Sequence, residues 1–188
     1  MKIKKGEYGY IDSRRKLYLA LTILMLLIVI GIFLTGYFYY GTNASVFSII
    51  AALGCLPTGW SGVHLIMLVK ASGCSEALQK KLIGHGTGLI QAYDLYMTSY
   101  SANYPFSHLS ICGRNIAALT ESDHCDLRAA EEHIRSMMAA DGWEGYSVKV
   151  YRDTDKYILR LDQLDQLEDR GNPEKSRQLM EMFCSISL

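Results

Sequence analysis

The chain has 188 residues, 19 basic and 19 acidic side chains, and 49% hydrophobic residues, so it has room for one membrane element and one domain of about 100 residues. The net charge of the whole chain is zero, but the charge is unevenly distributed: residues 1–16 carry a net charge of +4 and residues 89–188 a net charge of −6. The acidic part disfavours a nucleic acid as partner, and five cysteines without a CxxC spacing argue against a zinc knuckle or a disulfide framework.

Residues 1–16 form a short basic segment, which is typical of a cytosolic stretch held at an anionic leaflet. Residues 17–69 follow without one Asp, Glu, Lys or Arg. Because a helix needs about 20 apolar residues to cross a bilayer, this run predicts a two-helix transmembrane hairpin with the lipid bilayer as its partner. We expect the first helix over Leu17–Phe38, a turn at Gly41–Asn43, and a second helix from about Ser45 to Val69.

Basic residues flank the hairpin at both outer ends, and its turn has none. The positive-inside rule therefore predicts a multi-pass protein of the cell inner (cytoplasmic) membrane with both termini in the cytosol. In a competing topology the second segment, which contains Pro57 among several glycines, fails to cross and leaves the C-terminal part outside. If the segment crosses, a bend is expected at Pro57.

Gly54, Thr58 and Gly62 are four residues apart and predict a strip at which another helix can approach closely. One interpretation is packing on the first helix, where Gly31 and Thr35 form a matching notch. The other is a homo-oligomer contact. His64 lies near the end of the second helix, where water can solvate it, and we assign it no role.

Residues 70–88 are predicted to connect the hairpin to a soluble domain. Ser75–Ile83 has the pattern of a short amphipathic helix, with Leu78 and Leu82 on one side. Gly84–Gly88 follows the helix instead of preceding one, so a flexible linker is expected here and not a phosphate-binding loop.

Residues 89–188 alternate between strand and helix periods and predict a cytosolic α/β domain. The first strand is expected to place Leu89, Tyr93, Leu95 and Met97 on one face, and the second Leu109 and Ile111 on one face, before a turn at Gly113–Asn115 and a third strand over Ile116–Thr120. The next elements are a helix capped by Ser122 or Asp123 and ended by Gly142, and a strand over Tyr146–Arg152. Two helices follow: one is capped by Asp153 or Asp155 and stopped by Gly171, and the other extends from Asn172 to about Cys184. The predicted fold class is a membrane α-helical hairpin plus a cytosolic α/β domain of order α-β-β-β-α-β-α-α.

This order over Ser75–Leu167, together with the hairpin Ser107–Leu119, resembles the restriction-endonuclease-like superfamily, especially nuclease-related domains attached to bacterial two-span membrane proteins. The resemblance implies an Asp in the first hairpin arm and a Glu-x-Lys in the second, to hold a divalent metal. Here the first arm offers Ser107 and His108, and the second contains Ile-Ala-Ala-Leu-Thr. The resemblance therefore implies a nuclease scaffold without its metal ligands, and no catalytic, cofactor-binding or metal residue is assigned.

Three other stretches contain side chains that could take part in chemistry. Glu121–Asp126 contains five potential metal ligands, but contiguous side chains cannot all point to one ion, so helix capping is favoured. Cys112 with His108 or His133 has the composition of a thiol nucleophile and base, although His108 is expected to face away from the core and nothing local supports the pairing. The leucine edge of Asp162–Leu167 either packs on the sheet or docks a basic partner.

The sequence thus favours a membrane-anchored protein whose non-catalytic domain acts as an adaptor, sensor or scaffold for an unknown protein partner. The alternative is an enzyme, a membrane-tethered nuclease-like hydrolase with a rearranged metal site. A small transport or channel subunit ranks third, because the hairpin has few polar groups along its helices.

Overall fold

The computed structural model describes residues 3–41, 46–99, 102–167 and 171–188. These ranges hold α1 (Tyr10–Tyr40), α2 (Val46–Lys70), α3 (Glu76–Leu82), β1 (Ile90–Thr98), β2 (Asn103–Cys112), β3 (Asn115–Leu119), α4 (Leu127–Ala140), β4 (Ser147–Tyr151), α5 (Thr154–Asp165) and α6 (Pro173–Ile186). The order after α2 is the predicted one. The chain divides into two compact units, which are the helical unit Asp12–Lys70 and an α/β unit in which the segment ending at Ile11 joins Ala71–Leu188.

The helical unit contains two helices that are long and apolar enough to cross a membrane. Its exposed side chains are large and apolar; Leu27 is 61% and Leu56 72% exposed. Between the helices, the hydroxyl groups of Thr22 and Ser61 lie 3.2 Å apart, and Ser61 is buried. Polar groups inside and large apolar groups outside reverse the pattern of a water-soluble helix pair and suit a hydrocarbon environment.

Helix α1 begins at Tyr10, seven residues before the predicted start, so part of the basic segment is helical. Asp12 lies in its first turn and pairs with Arg15 at 3.2 Å, which favours helix at this end. Pro57 lies inside α2 without interrupting it; a bend there stays a prediction. The expected turn residues Thr42 and Asn43, and the expected helix start at Ser45, lie outside the described residues.

The small-residue strip of α2 faces α1 at Gly54. A Cβ at this glycine would meet Val29 Cγ2 at 2.9 Å, so Gly54 allows the close approach of the two helices. The predicted notch on α1 is wrong: Gly31 is exposed, and no described atom lies within 4 Å of a Cβ placed there. A homo-oligomer contact through Gly54, Thr58 and Gly62 stays a prediction.

The α/β unit has a four-stranded sheet of order β1-β2-β3-β4. Strand β2 is antiparallel to both neighbours, and β3 and β4 are parallel. The predicted turn joins β2 to β3 through Gly113 and Arg114, with Cys112 paired to Asn115. Helices α4 and α6 cover one face and form the first core with Leu95 and Phe106, whereas α3 and α5 cover the other face and form the second core with Leu119.

The predicted single face of β1 is wrong. Leu95 and Met97 lie in the first core, but Leu89 and Tyr93 pack against the second. The change of face occurs at Asp94, whose backbone has φ +55°, a left-handed conformation that resets the alternation of side chains along the strand. Strand β2 changes face at the same level, which puts both Phe106 and Leu109 in the first core.

Helix α4 begins at a different residue from the predicted one, although the caps of the last two helices agree with the prediction. Helix α4 is capped by Asp126, and not by Ser122 or Asp123. Asp153 and Asn172 cap the last two helices as expected. Helix α5 ends at Asp165, before the predicted stop at Gly171. Its leucine edge packs on the sheet through Leu161 and Leu164, whereas Leu167 is 41% exposed.

Candidate functional site

The structure places His108 differently from the prediction. It was expected to face away from the core, but it is fully buried because α3 and α5 cover the second face of the sheet. Its Nδ1 lies 2.7 Å from the hydroxyl of Tyr157 on α5. Burial lowers the pKa of His108 to about 4 and raises the pKa of Tyr157, so both side chains are neutral at pH 7.

The cysteine and histidine candidates do not form a nucleophile and base. The Cys112 thiol donates to the backbone carbonyl of Leu164 at 3.4 Å, while the Nδ1 of His108 lies against Tyr157. His133 packs its ring against Tyr104 with centroids 5.0 Å apart, and desolvation lowers its pKa. These residues pack the two cores.

The ligand-rich segment Glu121–Asp126 is also divided among structural roles. Glu121 accepts hydrogen bonds from Ser75, and Asp126 accepts from the first amides of α4. The Cys125 carbonyl accepts from Arg152 at 2.6 Å. Within the described ranges, no group of three or more His, Cys, Asp or Glu is placed to hold a metal ion.

Asp94 is a buried carboxylate in the middle of β1, and sequence reasoning did not single it out. The residue is 3% exposed, and its backbone φ of +55° is uncommon outside glycine, although Asp is one of the few other types that adopt it. Its Oδ1 accepts the backbone N–H of Cys74 at 2.6 Å. A Cβ at Gly73 would lie 2.9 Å from the same oxygen, so only glycine lets the chain after α2 pass this close.

Glu121 binds Ser75, the residue that follows Cys74 in the chain after α2. Its carboxylate accepts from the backbone N–H of Ser75 at 2.9 Å and from the Ser75 hydroxyl at 2.6 Å. Burial, followed by the charges of Glu121 and Asp94, raises the pKa of the Cys74 thiol to about 12. Cys74 is therefore a protonated packing residue between two carboxylates and not a reactive thiolate.

The segment before α1 reaches the same strand. The carbonyl of Gly6 accepts the backbone N–H of Tyr93 at 2.8 Å, and the Tyr8 ring packs edge-on against the Tyr93 ring with centroids 6.2 Å apart. Lys5 donates from Nζ to the Ser187 carbonyl at the end of α6, at 2.7 Å. The chain entering α1 and the chain leaving α2 are thus fixed at consecutive residues, Tyr93 and Asp94. We call Gly6, Cys74, Tyr93 and Asp94 the junction.

A cleft of about 680 Å³ lies at the turn end of the sheet, between the β2–β3 turn, the segment after α4 and the start of α6. Arg114 and Lys175 line it and form no ion pair with any residue that the structure describes. Trp143 and Tyr146 line the same cleft, with ring centroids 6.1 Å apart.

No family model, curated protein or solved structure matches this chain. A functional proposal therefore depends on the junction and the cleft, and neither was predicted from the sequence. A carboxylate within the apolar stretch Ala92–Met97 was the one available signal for the junction. The cleft joins three segments that are distant in the sequence, and no local pattern marks it.

Proposed function

We propose that this protein is a membrane-anchored sensor or adaptor whose non-catalytic cytosolic α/β domain is mechanically coupled to a two-span hairpin. The observation that carries this proposal is the junction, where the two segments that flank the hairpin bind neighbouring residues of one strand through Gly6 and Cys74. A simple anchor needs only a linker, whereas these contacts transmit movement of the helices to β1.

Insertion of the hairpin into the inner (cytoplasmic) membrane, with both termini in the cytosol, is part of the proposal. It is supported by the charge-free run, the basic residues at its two outer ends, and the large apolar side chains exposed on α1 and α2. Hydrocarbon removes the cost of exposing those side chains, which in water would favour aggregation.

The conformation of β1 also supports coupling. A non-glycine residue held at positive φ stores roughly 1–3 kcal/mol of backbone strain, and such strain is kept where surrounding contacts impose it. At Asp94 the surrounding contacts include the amide of Cys74, which lies four residues after α2. A shift of the α2 end changes this contact directly and alters the balance that holds β1 in its present form.

Bilayer thickness provides the test, because a thicker or thinner hydrocarbon core changes the tilt of spanning helices. The full chain is placed in nanodiscs with short or long acyl chains, and amide hydrogen exchange is measured by mass spectrometry. We expect exchange in β1 to differ at least threefold between the two bilayers, with no change in β4. Equal exchange of β1 in both bilayers would contradict the coupling.

A pair of variants isolates the contact. Asp94→Gly removes the carboxylate while keeping a residue that accepts positive φ, and it should abolish the thickness response. Asp123→Gly removes an exposed carboxylate outside the junction and should keep the response. A response that survives in Asp94→Gly would place the coupling elsewhere.

The alternative, a nuclease-like hydrolase with a rearranged metal site, is favoured by no specific contact. The positions at which the resemblance implies metal ligands hold His108, which is hydrogen-bonded to Tyr157, and the apolar strand β3. Nucleic-acid cleavage by the purified full chain in Mg²⁺ or Mn²⁺ would nevertheless reject the non-catalytic proposal.

A further inference from the structure

The cleft at the turn end of the sheet combines a size and a chemistry that suit a small ligand. Its volume of about 680 Å³ falls in the usual range of small-molecule sites, roughly 300–1,000 Å³. The β2–β3 turn approaches the α6 segment closely beside it: a Cβ at Gly171 would lie 2.8 Å from the Gly113 Cα.

Two cations and two aromatic rings share the walls. Arg114 and Lys175 come from different segments and have no acidic partner among the described residues, so both are available to an anion. Trp143 is half-buried by the first core, which holds its indole in place. A fixed indole beside free cations fits a ligand that carries a planar ring and an anionic group.

The acidic residues of the cleft narrow the choice of ligand. Asp141 and Glu144 also line it and present carboxylates, which accept hydrogen bonds from hydroxyl or amino groups. A mononucleotide offers all three features, namely a phosphate, sugar hydroxyls and a flat base. A long nucleic acid would instead meet the net charge of −6 over residues 89–188.

We propose that this cleft binds a mononucleotide, with its phosphate on Arg114 and Lys175 and its base on Trp143. The inference deepens the proposed function and rests on it only in naming the ligand that a sensor would report. Helix α6 extends from the cleft to the segment beside the junction. Lys175 lies in its first turn, and the Ser187 carbonyl after its last turn accepts a hydrogen bond from Lys5, the neighbour of Gly6. Its 14 residues span about 21 Å.

Trp143 supplies the measurement. The chain has two tryptophans, so Trp60→Phe leaves Trp143 as the single indole reporter in the full chain, purified in detergent micelles. We expect AMP to change its fluorescence saturably, and adenosine alone or inorganic phosphate alone to bind at least tenfold more weakly. Absence of a saturable change, or equal affinity for phosphate alone, would overturn the assignment.

Paired charge variants test the phosphate contact in the same background. Arg114→Gln with Lys175→Gln should weaken AMP binding at least tenfold, because both cations are lost. Arg128→Gln with Lys81→Gln makes the same change in net charge at exposed positions outside the cleft and should leave affinity within twofold. An equal loss of AMP affinity in both double variants would show that affinity depends only on the overall charge, and it would overturn the proposed site.

The fluorescence titration and the bilayer-thickness experiment fail independently. AMP binding without a thickness response would keep the ligand site and remove the coupling. A thickness response without AMP binding would keep the coupling and remove the mononucleotide.

Discussion

Asp94 carries two costs at one residue, a buried carboxyl group and a left-handed backbone. A buried carboxylate is tolerated only with strong partners, and the short hydrogen bond from Cys74 is one of them. The alternation predicted for Tyr93, Leu95 and Met97 would put Asp94 on the opposite face of β1. The alternation breaks at Asp94, where the backbone N–H of Cys74 donates to the carboxylate, a contact between residues 20 positions apart.

His108 gives a prediction at the same scale. An unfolded histidine takes up its proton near pH 6.5, whereas burial keeps folded His108 neutral down to a pKa of about 4. On acidification the unfolded state therefore binds the proton first. The stability that this residue contributes above pH 6.5 is lost as pH falls to 4, and the difference amounts to about 3 kcal/mol.

The measurement is urea denaturation of the full chain carrying Trp60→Phe, in micelles between pH 7 and pH 4, followed by the fluorescence of Trp143. Carboxylates titrate in the same window, so the comparison is with His108→Gln, which should show a flatter decline in the free energy of unfolding. Parallel declines in the two proteins would show that His108 is not held neutral.

At the scale of helices and strands, apolar periodicity was sufficient to predict the order of the α/β unit. Ala130 and Ile134 recur at helical spacing in α4, and Val148 and Val150 at strand spacing in β4, and all four are buried. Element ends were less predictable, because Ser122, Asp123 and Asp126 all have capping side chains and only the path of the chain selects one. The predicted face of the strand is wrong at Tyr93, because the positive φ of the next residue, Asp94, breaks the two-residue period of the side chains.

The capping choice at α4 can be tested directly. Asp126 accepts from the backbone N–H groups of Arg128 and Ala129 at 2.9 and 3.2 Å, so Asp126→Ala should lower the free energy of unfolding by about 1 kcal/mol. The matched change Asp123→Ala removes an equal charge that makes no cap, and should alter stability by less than about 0.5 kcal/mol. Urea midpoints of the two variants decide the point, and a larger loss for Asp123→Ala would restore the sequence-based cap.

For the whole molecule, hydropathy indicated the two long helices but not how the segments beside them attach. The basic segment is predicted to be held at an anionic leaflet, and that stays a prediction. Its residues up to Ile11 also join the α/β unit, through Gly6 on β1 and Lys5 on the end of α6. Contacts of this kind join residues more than 80 positions apart, and no periodicity in one sequence reports them.

The proposed topology gives the last prediction. If both helices cross, the end of α1 lies outside the cell and the α/β unit inside, because basic residues at both outer ends are retained in the cytosol. Tyr40→Cys and Ser136→Cys place thiols at exposed positions on α1 and α4, whereas the native Cys112 and Cys125 are buried. In intact cells, a membrane-impermeant maleimide should label Tyr40→Cys above the parent chain and should label Ser136→Cys only after permeabilisation. Labelling of Ser136→Cys in intact cells would put the α/β unit outside and contradict the proposed topology.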